Sequence, residues 1–212
     1  PSAMPDIKQA LKDGRRLIAS VAPSAPAYFH FRHFDEMESA LKKLGFYAAE
    51  ETALGAEIVG LAHRDYVERT PQSCPVITSS CPVVVNLIEK YYPDLLGHLA
   101  PIVSPMIAHG RWLRQKYGPE ALIVFIGPCI AKKMEICDPA VEGVVFAAMT
   151  YRGLADWFAE ENIVFSEKET APVLSTPADA RLFPVEGGLI ATAGLSTDML
   201  GQDLIVASSL ET

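Results

Sequence analysis

The sequence lacks the features that mark membrane, secreted and nucleic-acid-binding proteins. No apolar run approaches the roughly 20 residues that span a bilayer, and no basic segment, apolar stretch and cleavage site follow one another at the N-terminus. Lys and Arg number 18 against 26 Asp and Glu, a net charge of −8, whereas nucleic-acid binding depends on clustered basic residues. These absences predict a cytoplasmic protein that binds neither membrane nor nucleic acid.

Cysteine is scarce, with four residues in a chain of 212: Cys74, Cys81, Cys129 and Cys137. Small secreted scaffolds held together by disulfides are far denser in cysteine. Without a signal peptide, we expect these cysteines to be free thiols or metal ligands.

The two ends are consistent with a piece excised from a longer protein. Residues 1–3, Pro-Ser-Ala, resemble an expression scar ahead of Met4, and the chain stops just after an apolar run at residues 204–207. A natural short protein is the alternative interpretation.

Short apolar runs alternate with segments of helical periodicity along the whole chain. Half of the residues are hydrophobic and 21% are charged, as is typical of globular proteins. The pattern predicts strands at residues 17–22, 46–49, 75–78, 121–126, 144–147 and 204–207, and helices at 33–44, 52–67, 82–91, 105–117 and 150–159, with a short helix opening at 175–177.

This alternation predicts an α/β fold of two small lobes, each built on a mostly parallel sheet flanked by helices. We expect residues 5–100 to form the first lobe and residues 101–212 the second, with the last strand as a candidate to return to the first lobe. A cofactor cleft is expected between the lobes, because ligands gather beyond the carboxyl ends of parallel strands.

Two cysteines stand directly after predicted strands and before helical segments. Cys81 follows the strand at 75–78, and Cys129 follows the strand at 121–126. A thiol at a helix N-terminus is ready to bind metal, so two such thiols are predicted to face each other across the cleft. The alternative, a cysteine acting as a small buried hydrophobe, remains our interpretation of Cys74 and Cys137.

The residues around these two cysteines resemble signatures of iron-only hydrogenases. Residues 78–82, Thr-Ser-Ser-Cys-Pro, resemble the family's first signature, Thr-Ser-Cys-Cys-Pro. Residues 128–135, Pro-Cys-Ile-Ala-Lys-Lys-Met-Glu, resemble the second, Met-Pro-Cys-x-Ala-Lys-Lys-x-Glu. Supporting matches lie at residues 92–96, 104–105 and 186–188, so that the resemblance spans roughly residues 15–210.

The resemblance implies a 4Fe-4S cluster linked to a diiron unit with carbonyl and cyanide ligands, held between the lobes. It assigns Cys81 and Cys129 as metal ligands, since soft thiolates suit such iron. Lys132 is assigned to hydrogen-bond a cyanide, as an ammonium offers three donors to an anionic ligand. A solvated helix face is the alternative for Lys132 and the preferred interpretation of Lys133. The implied electron partner is a ferredoxin-like domain or protein.

This chain also departs from the family pattern. Ser80 stands where active enzymes have a proton-relaying cysteine, and a hydroxyl is a far weaker acid than a thiol. Gly127 replaces the methionine before the second signature, which we expect to loosen packing there. The third signature, with two further cysteine ligands, is absent before the chain ends, so we expect the cofactor in the full-length protein and not in this fragment.

Three functions are compatible with these residues. The first is an enzyme for reversible dihydrogen oxidation, with Ser80 lowering its turnover. The second, which Ser80 favours, is a hydrogen sensor coupled to an attached sensory domain. The third is a hydrogenase-like iron–sulfur scaffold without hydrogen turnover, against which Lys132 argues.

Overall fold

The computed structural model describes residues 2–71, 73–165, 178–185 and 187–195. Its strands are β1 (Leu17–Val21), β2 (Ala48–Glu51), β3 (Leu122–Gly127) and β4 (Ala147–Thr150). Its α-helices are α1 (Met4–Lys12), α2 (Ala25–Phe29), α3 (Phe34–Lys43), α4 (Ala53–Arg69), α5 (Pro82–Tyr91), α6 (Pro105–Tyr117), α7 (Lys132–Glu135), α8 (Tyr151–Glu160), α9 (Ala178–Arg181) and α10 (Gly188–Thr192). A 3-10 helix, Pro93–His98, lies between α5 and α6. The predicted closing strand at 204–207 and the helix opening at 175–177 lie outside the described residues.

The four strands form one parallel sheet in the order β2-β1-β3-β4. Every residue of β1 is buried, and so are five of the six in β3. Strands that are apolar on both faces need cover on both faces, which explains why these runs are continuous rather than alternating. The predicted α/β class, with a parallel sheet flanked by helices, is confirmed.

The chain divides into two compact units that are not consecutive in sequence. Pro1–Thr52 and His109–Ser175 form the first unit, and Ala53–Ala108 and Thr176–Thr212 form the second, insofar as these segments are described. The whole four-stranded sheet belongs to the first unit. The predicted boundary near residue 100 stays a prediction.

Strands β2 and β4 begin two and three residues later than the sequence predicts. The apolar run at 46–49 was expected to be a strand throughout, but the Phe46 N–H donates to the Leu41 carbonyl at 3.1 Å and closes the turn after α3. Gly45 makes that turn with a φ of +100°, a conformation that favours glycine. Phe46 therefore fills the core from a turn, and β2 begins at Ala48. In the same way β4 begins at Ala147, although the preceding Val145 is buried.

In the second unit the predicted strand at 75–78 is reduced to a single bridge. Ile77 pairs in parallel with Leu99, and its backbone bonds both His98 and Ala100. Ser79 Oγ adds a 2.6 Å hydrogen bond to the Ile102 carbonyl. These bonds hold residues 77–79 beside residues 99–102.

Among the described residues, no helix is long and apolar enough to cross a membrane.

Candidate cofactor site

The Cys129 turn leaves the sheet at the point where the strand order reverses. From β1 the chain moves to β2 on one side, and later returns to β3 on the other side. In parallel sheets this arrangement opens a crevice beyond the carboxyl ends of the two central strands. Cys129 lies two residues beyond the end of β3 and is half-buried. The position predicted for this thiol is therefore one where such folds hold ligands.

Cys81 stands at the start of a helix in the second unit. It is the extended N-cap residue of α5, it is exposed, and Pro82 follows at the first helical position. Ser79, two residues before Cys81, is hydrogen-bonded to the carbonyl of Ile102, two residues before Ser104. Cys81 and Ser104 therefore follow two segments that lie side by side. Because Cys81 and Cys129 belong to different units, their shared cleft stays a prediction.

Lys132 points inward and is paired. Its side chain lies on α7, is 11% exposed, and its Nζ donates to Glu135 Oε2 at 2.6 Å. Glu135 is 12% exposed, and the two residues are one helical turn apart. Burying an ammonium is unfavourable unless it is paired, and this carboxylate supplies the charge. Lys132 is therefore not a solvated lysine, whereas its role toward a cyanide ligand stays a prediction.

The expectation of loose packing at Gly127 is wrong. A Cβ at this glycine would lie 2.7 Å from the ring of Phe125 and 3.2 Å from the Cβ of Ala22. The Phe125 ring folds back over the glycine, and Ala22 at the end of β1 closes the other side. In this chain the Phe125 ring therefore occupies the space that a side chain at position 127 would need.

The remaining candidates are Ser80 and the cysteines. Ser80 is half-buried beside Cys81. All four thiols are free. Cys74 Sγ lies 3.8 Å from His98 Nδ1, and Cys137 Sγ lies 3.6 Å from the Lys133 carbonyl. Both of these cysteines are exposed, so their interpretation as small buried hydrophobes is wrong. In the described part of the chain, no three His, Cys, Asp or Glu side chains are grouped to hold a metal ion.

Comparison with known families decides what this arrangement belongs to. The family described as "Iron only hydrogenase large subunit, C-terminal domain" matches residues 15–207. The chain belongs to this family.

Relatives of this hydrogenase-family chain have two kinds of function in their names. The periplasmic Fe hydrogenase large subunit of Nitratidesulfovibrio vulgaris is 30% identical over 223 residues, covering 91% of this chain and 52% of that protein. Iron hydrogenase 1 of Clostridium pasteurianum is 28% identical, with 91% and 38% covered. A cytosolic Fe-S cluster assembly factor of Botryotinia fuckeliana is 34% identical over 110 residues, 49% of this chain and 19% of that protein. The chain spans about half the length of its hydrogenase relatives, or less.

The fold of this hydrogenase-family chain is also that of solved hydrogenases. The apo FeFe-hydrogenase from Chlamydomonas reinhardtii superposes with a TM-score of 0.67 at 24% identity, covering 91% of this chain and 57% of that one. At this level of identity the likeness concerns the fold alone.

Cys81 and Cys129 each have the chemistry of an iron–sulfur ligand. Cys81 and Cys129 are free, and thiolates are the donors that such clusters take. Ser104 Oγ is buried without a hydrogen-bond partner among the described residues, and buried hydroxyls normally have one. A cubane takes four such ligands. That Cys81 and Cys129 supply two of them to one cluster stays a prediction.

Sequence reasoning missed a buried polar cluster in the first unit. Ser20 Oγ lies 2.8 Å from both Thr52 Oγ1 and His109 Nδ1. His109 is completely buried, stacks on Trp112, and its Nε2 has no partner among the described residues. Its only sequence signal was a histidine inside an otherwise apolar stretch of helix, residues 106–109.

Proposed function

We propose that this chain is the part of an iron-only hydrogenase core that contributes Cys81 and Cys129 to an iron–sulfur and diiron cofactor. The observation that carries the proposal is the Cys129 turn, which begins at the reversal point of the parallel sheet and continues into the inward Lys132. A half-buried thiol followed within one short helix by a buried, paired ammonium is an arrangement for binding a group with both metal and anionic character.

Each residue has a defined part in this proposal. The thiolates of Cys81 and Cys129 donate to iron, and the Lys132 ammonium donates to an anionic ligand while Glu135 holds it inward. Nζ carries three donors and Glu135 takes one, so the others remain for such a ligand. When bound, the cofactor supplies the redox chemistry that interconverts dihydrogen with protons and electrons.

Ser80 favours hydrogen sensing over fast turnover. In this proposal the residue beside Cys81 passes protons, and a serine hydroxyl does so only as part of a hydrogen-bonded chain. We therefore propose a sensor, with an attached sensory domain and a ferredoxin-like electron partner, in the cytoplasm. Reversible dihydrogen oxidation at a low rate is the enzymatic form of the same proposal.

The test uses the full-length protein assembled with its cofactor and two matched variants. Cys129→Ser is expected to lose most bound iron and the carbonyl and cyanide infrared bands, because a serine oxygen is a poor ligand for such iron. Cys137→Ser, eight positions along the sequence and exposed, is the control and is expected to keep both. Wild-type protein without these bands, or equal losses in both variants, would contradict the proposal.

A second variant tests the part assigned to Ser80. Ser80→Cys in the assembled full-length protein is expected to raise hydrogen turnover by roughly 10² or more, the range typical of a positioned general acid. A thiol with a reference pKa of about 8.5 exchanges protons near neutral pH. Activity is measured as hydrogen evolution with a reduced dye, normalised to iron content. High native activity that Ser80→Cys leaves unchanged would point to another proton route.

The similarity to cytosolic Fe-S cluster assembly factors supports one alternative, an iron–sulfur scaffold without a diiron unit. A scaffold would bind iron and sulfide, show no carbonyl or cyanide bands, and leave iron loading unaffected by substitution of Lys132. The infrared measurement on the wild-type protein therefore separates the two functions.

A further inference from the structure

Tyr151 reaches across the end of the strand that carries the Cys129 turn. It is the first residue of α8, directly after β4, and its hydroxyl donates to the Ala22 carbonyl at 3.1 Å, just beyond the end of β1. In the sheet, β3 lies between β1 and β4. The phenol therefore bridges the two strands that flank β3, on the edge from which Cys129 emerges.

A second hydrogen bond completes this bridge. Ser24 Oγ lies 2.8 Å from Tyr151 Oη. The tyrosine's one proton is directed to the Ala22 carbonyl, so Ser24 donates to the phenol oxygen. Burial raises the pKa of Tyr151 to about 12, so its hydroxyl keeps its proton at neutral pH. The ring of Phe29 packs edge-on against Tyr151 at 5.5 Å and fixes its direction.

The residue held by this bridge is in contact with the strand that precedes Cys129. The Ala22 N–H donates to the Ile126 carbonyl at 2.8 Å. The Ala22 Cβ also lies against Gly127, where an added Cβ would be only 3.2 Å away. A displacement of Ala22 is therefore transmitted to residues 126–127, immediately before the turn.

We infer that Tyr151 is a positioning residue for the Cys129 thiol. By tying Ala22 and Ser24 across the end of β3, it holds residues 126–127 and with them the start of the turn that carries Cys129. The inference rests on the proposed function, since a thiol needs to be held in place when it is a metal ligand. The hydrogen bonds of Tyr151 do not depend on that function. A cluster ligand gains affinity when its supporting shell is rigid.

The first test measures thiol reactivity in the full chain prepared without metal. Iodoacetamide labelling of Cys129, Cys81 and Cys137 is followed by mass spectrometry in wild type and in Tyr151→Phe, which keeps the ring and removes both hydrogen bonds. We expect Cys129 labelling to rise roughly five-fold, the factor that corresponds to one net hydrogen bond, with Cys137 unchanged. Ser24→Ala, which leaves the bond to Ala22, should give a smaller rise, and Tyr28→Phe, on the neighbouring ring, none.

An unchanged Cys129 rate in folded Tyr151→Phe would overturn the inference. So would an equal rise at all three thiols, which would indicate general loosening of the fold. In the assembled full-length protein, Tyr151→Phe is expected to shift the reduction potential of the cluster while its iron content stays at the wild-type level. Because the labelling needs no cofactor, its failure is distinguishable from failure of the proposed function, which appears as missing iron and bands in the wild type.

Discussion

Replacing Lys132 with methionine is expected to lower the free energy of unfolding of this chain by about 3 kcal/mol, because it leaves a buried carboxylate without a partner. The Lys132 and Glu135 side chains are 11% and 12% exposed and lie 2.6 Å apart. Methionine keeps most of the stem of the lysine, so the loss reports the charge rather than a cavity. Urea unfolding followed by circular dichroism measures it.

The double variant Lys132→Met with Glu135→Leu is the control for this prediction. Removing both charges is expected to restore most of the lost stability, since a buried ion pair contributes little beyond an apolar pair of similar volume. If the free energy of unfolding of Lys132→Met lies within about 0.5 kcal/mol of the wild-type value, as for ordinary surface substitutions, Glu135 is hydrated and the ion pair is not a buried one.

The same lysine variant has a second expected effect in the assembled full-length protein. Lys132→Met should remove or shift the cyanide bands while cubane iron is retained, because the anionic ligand loses its charged donor. Bands identical to wild type would restrict Lys132 to its partnership with Glu135.

The free energy of unfolding is expected to fall as pH drops from 6.5 toward 3, because His109 stays neutral in the folded protein. Burial, with the nearby charge of Lys116, lowers the pKa of His109 from 6.5 to about 3. In this window the unfolded chain binds a proton that the folded chain does not, so stability falls with decreasing pH. It is fully present above pH 6.5 and decreases by about 1.4 kcal/mol per pH unit well below it.

The matched variant for this effect is His109→Asn. Its side-chain amide can donate to or accept from the Ser20 hydroxyl in place of Nδ1, and it does not titrate in the window of the prediction. Other groups, including His63, whose pKa burial also lowers, contribute equally in both proteins. The difference between the two pH profiles of unfolding, measured in urea, therefore isolates His109. Parallel profiles would contradict the prediction.

Helices with local end signals could be predicted from the sequence residue by residue. The predicted helices at 82–91 and 105–117 coincide with α5 and α6, because each begins on a proline at its first position, and Gly118 ends the second. The first helix, α1, was not predicted at all, although its Ile7 is completely buried.

Features that depend on distant partners could not be predicted in this way. The first residue of β2 is set by pairing with β1, not by the apolar run that begins at Phe46. The pairing of Lys132 with Glu135 was visible in the second signature, since the two residues are three apart on a helix. The cluster of Ser20, Thr52 and His109, here called the Ser20 cluster, could not be predicted, because Thr52 and His109 lie 32 and 89 residues from Ser20 along the chain.

The Ser20 cluster also describes how the polypeptide is threaded. The chain leaves the first unit after Thr52 and re-enters it at His109, and both residues are bonded to the hydroxyl of Ser20. Residues 53–108 therefore form an insertion, and the residues that flank it are both hydrogen-bonded to one hydroxyl of β1. An insertion with adjacent ends adds little loop-closure entropy to its host. Such a stretch can change in length without shifting the register of the parallel sheet or the turn that carries Cys129.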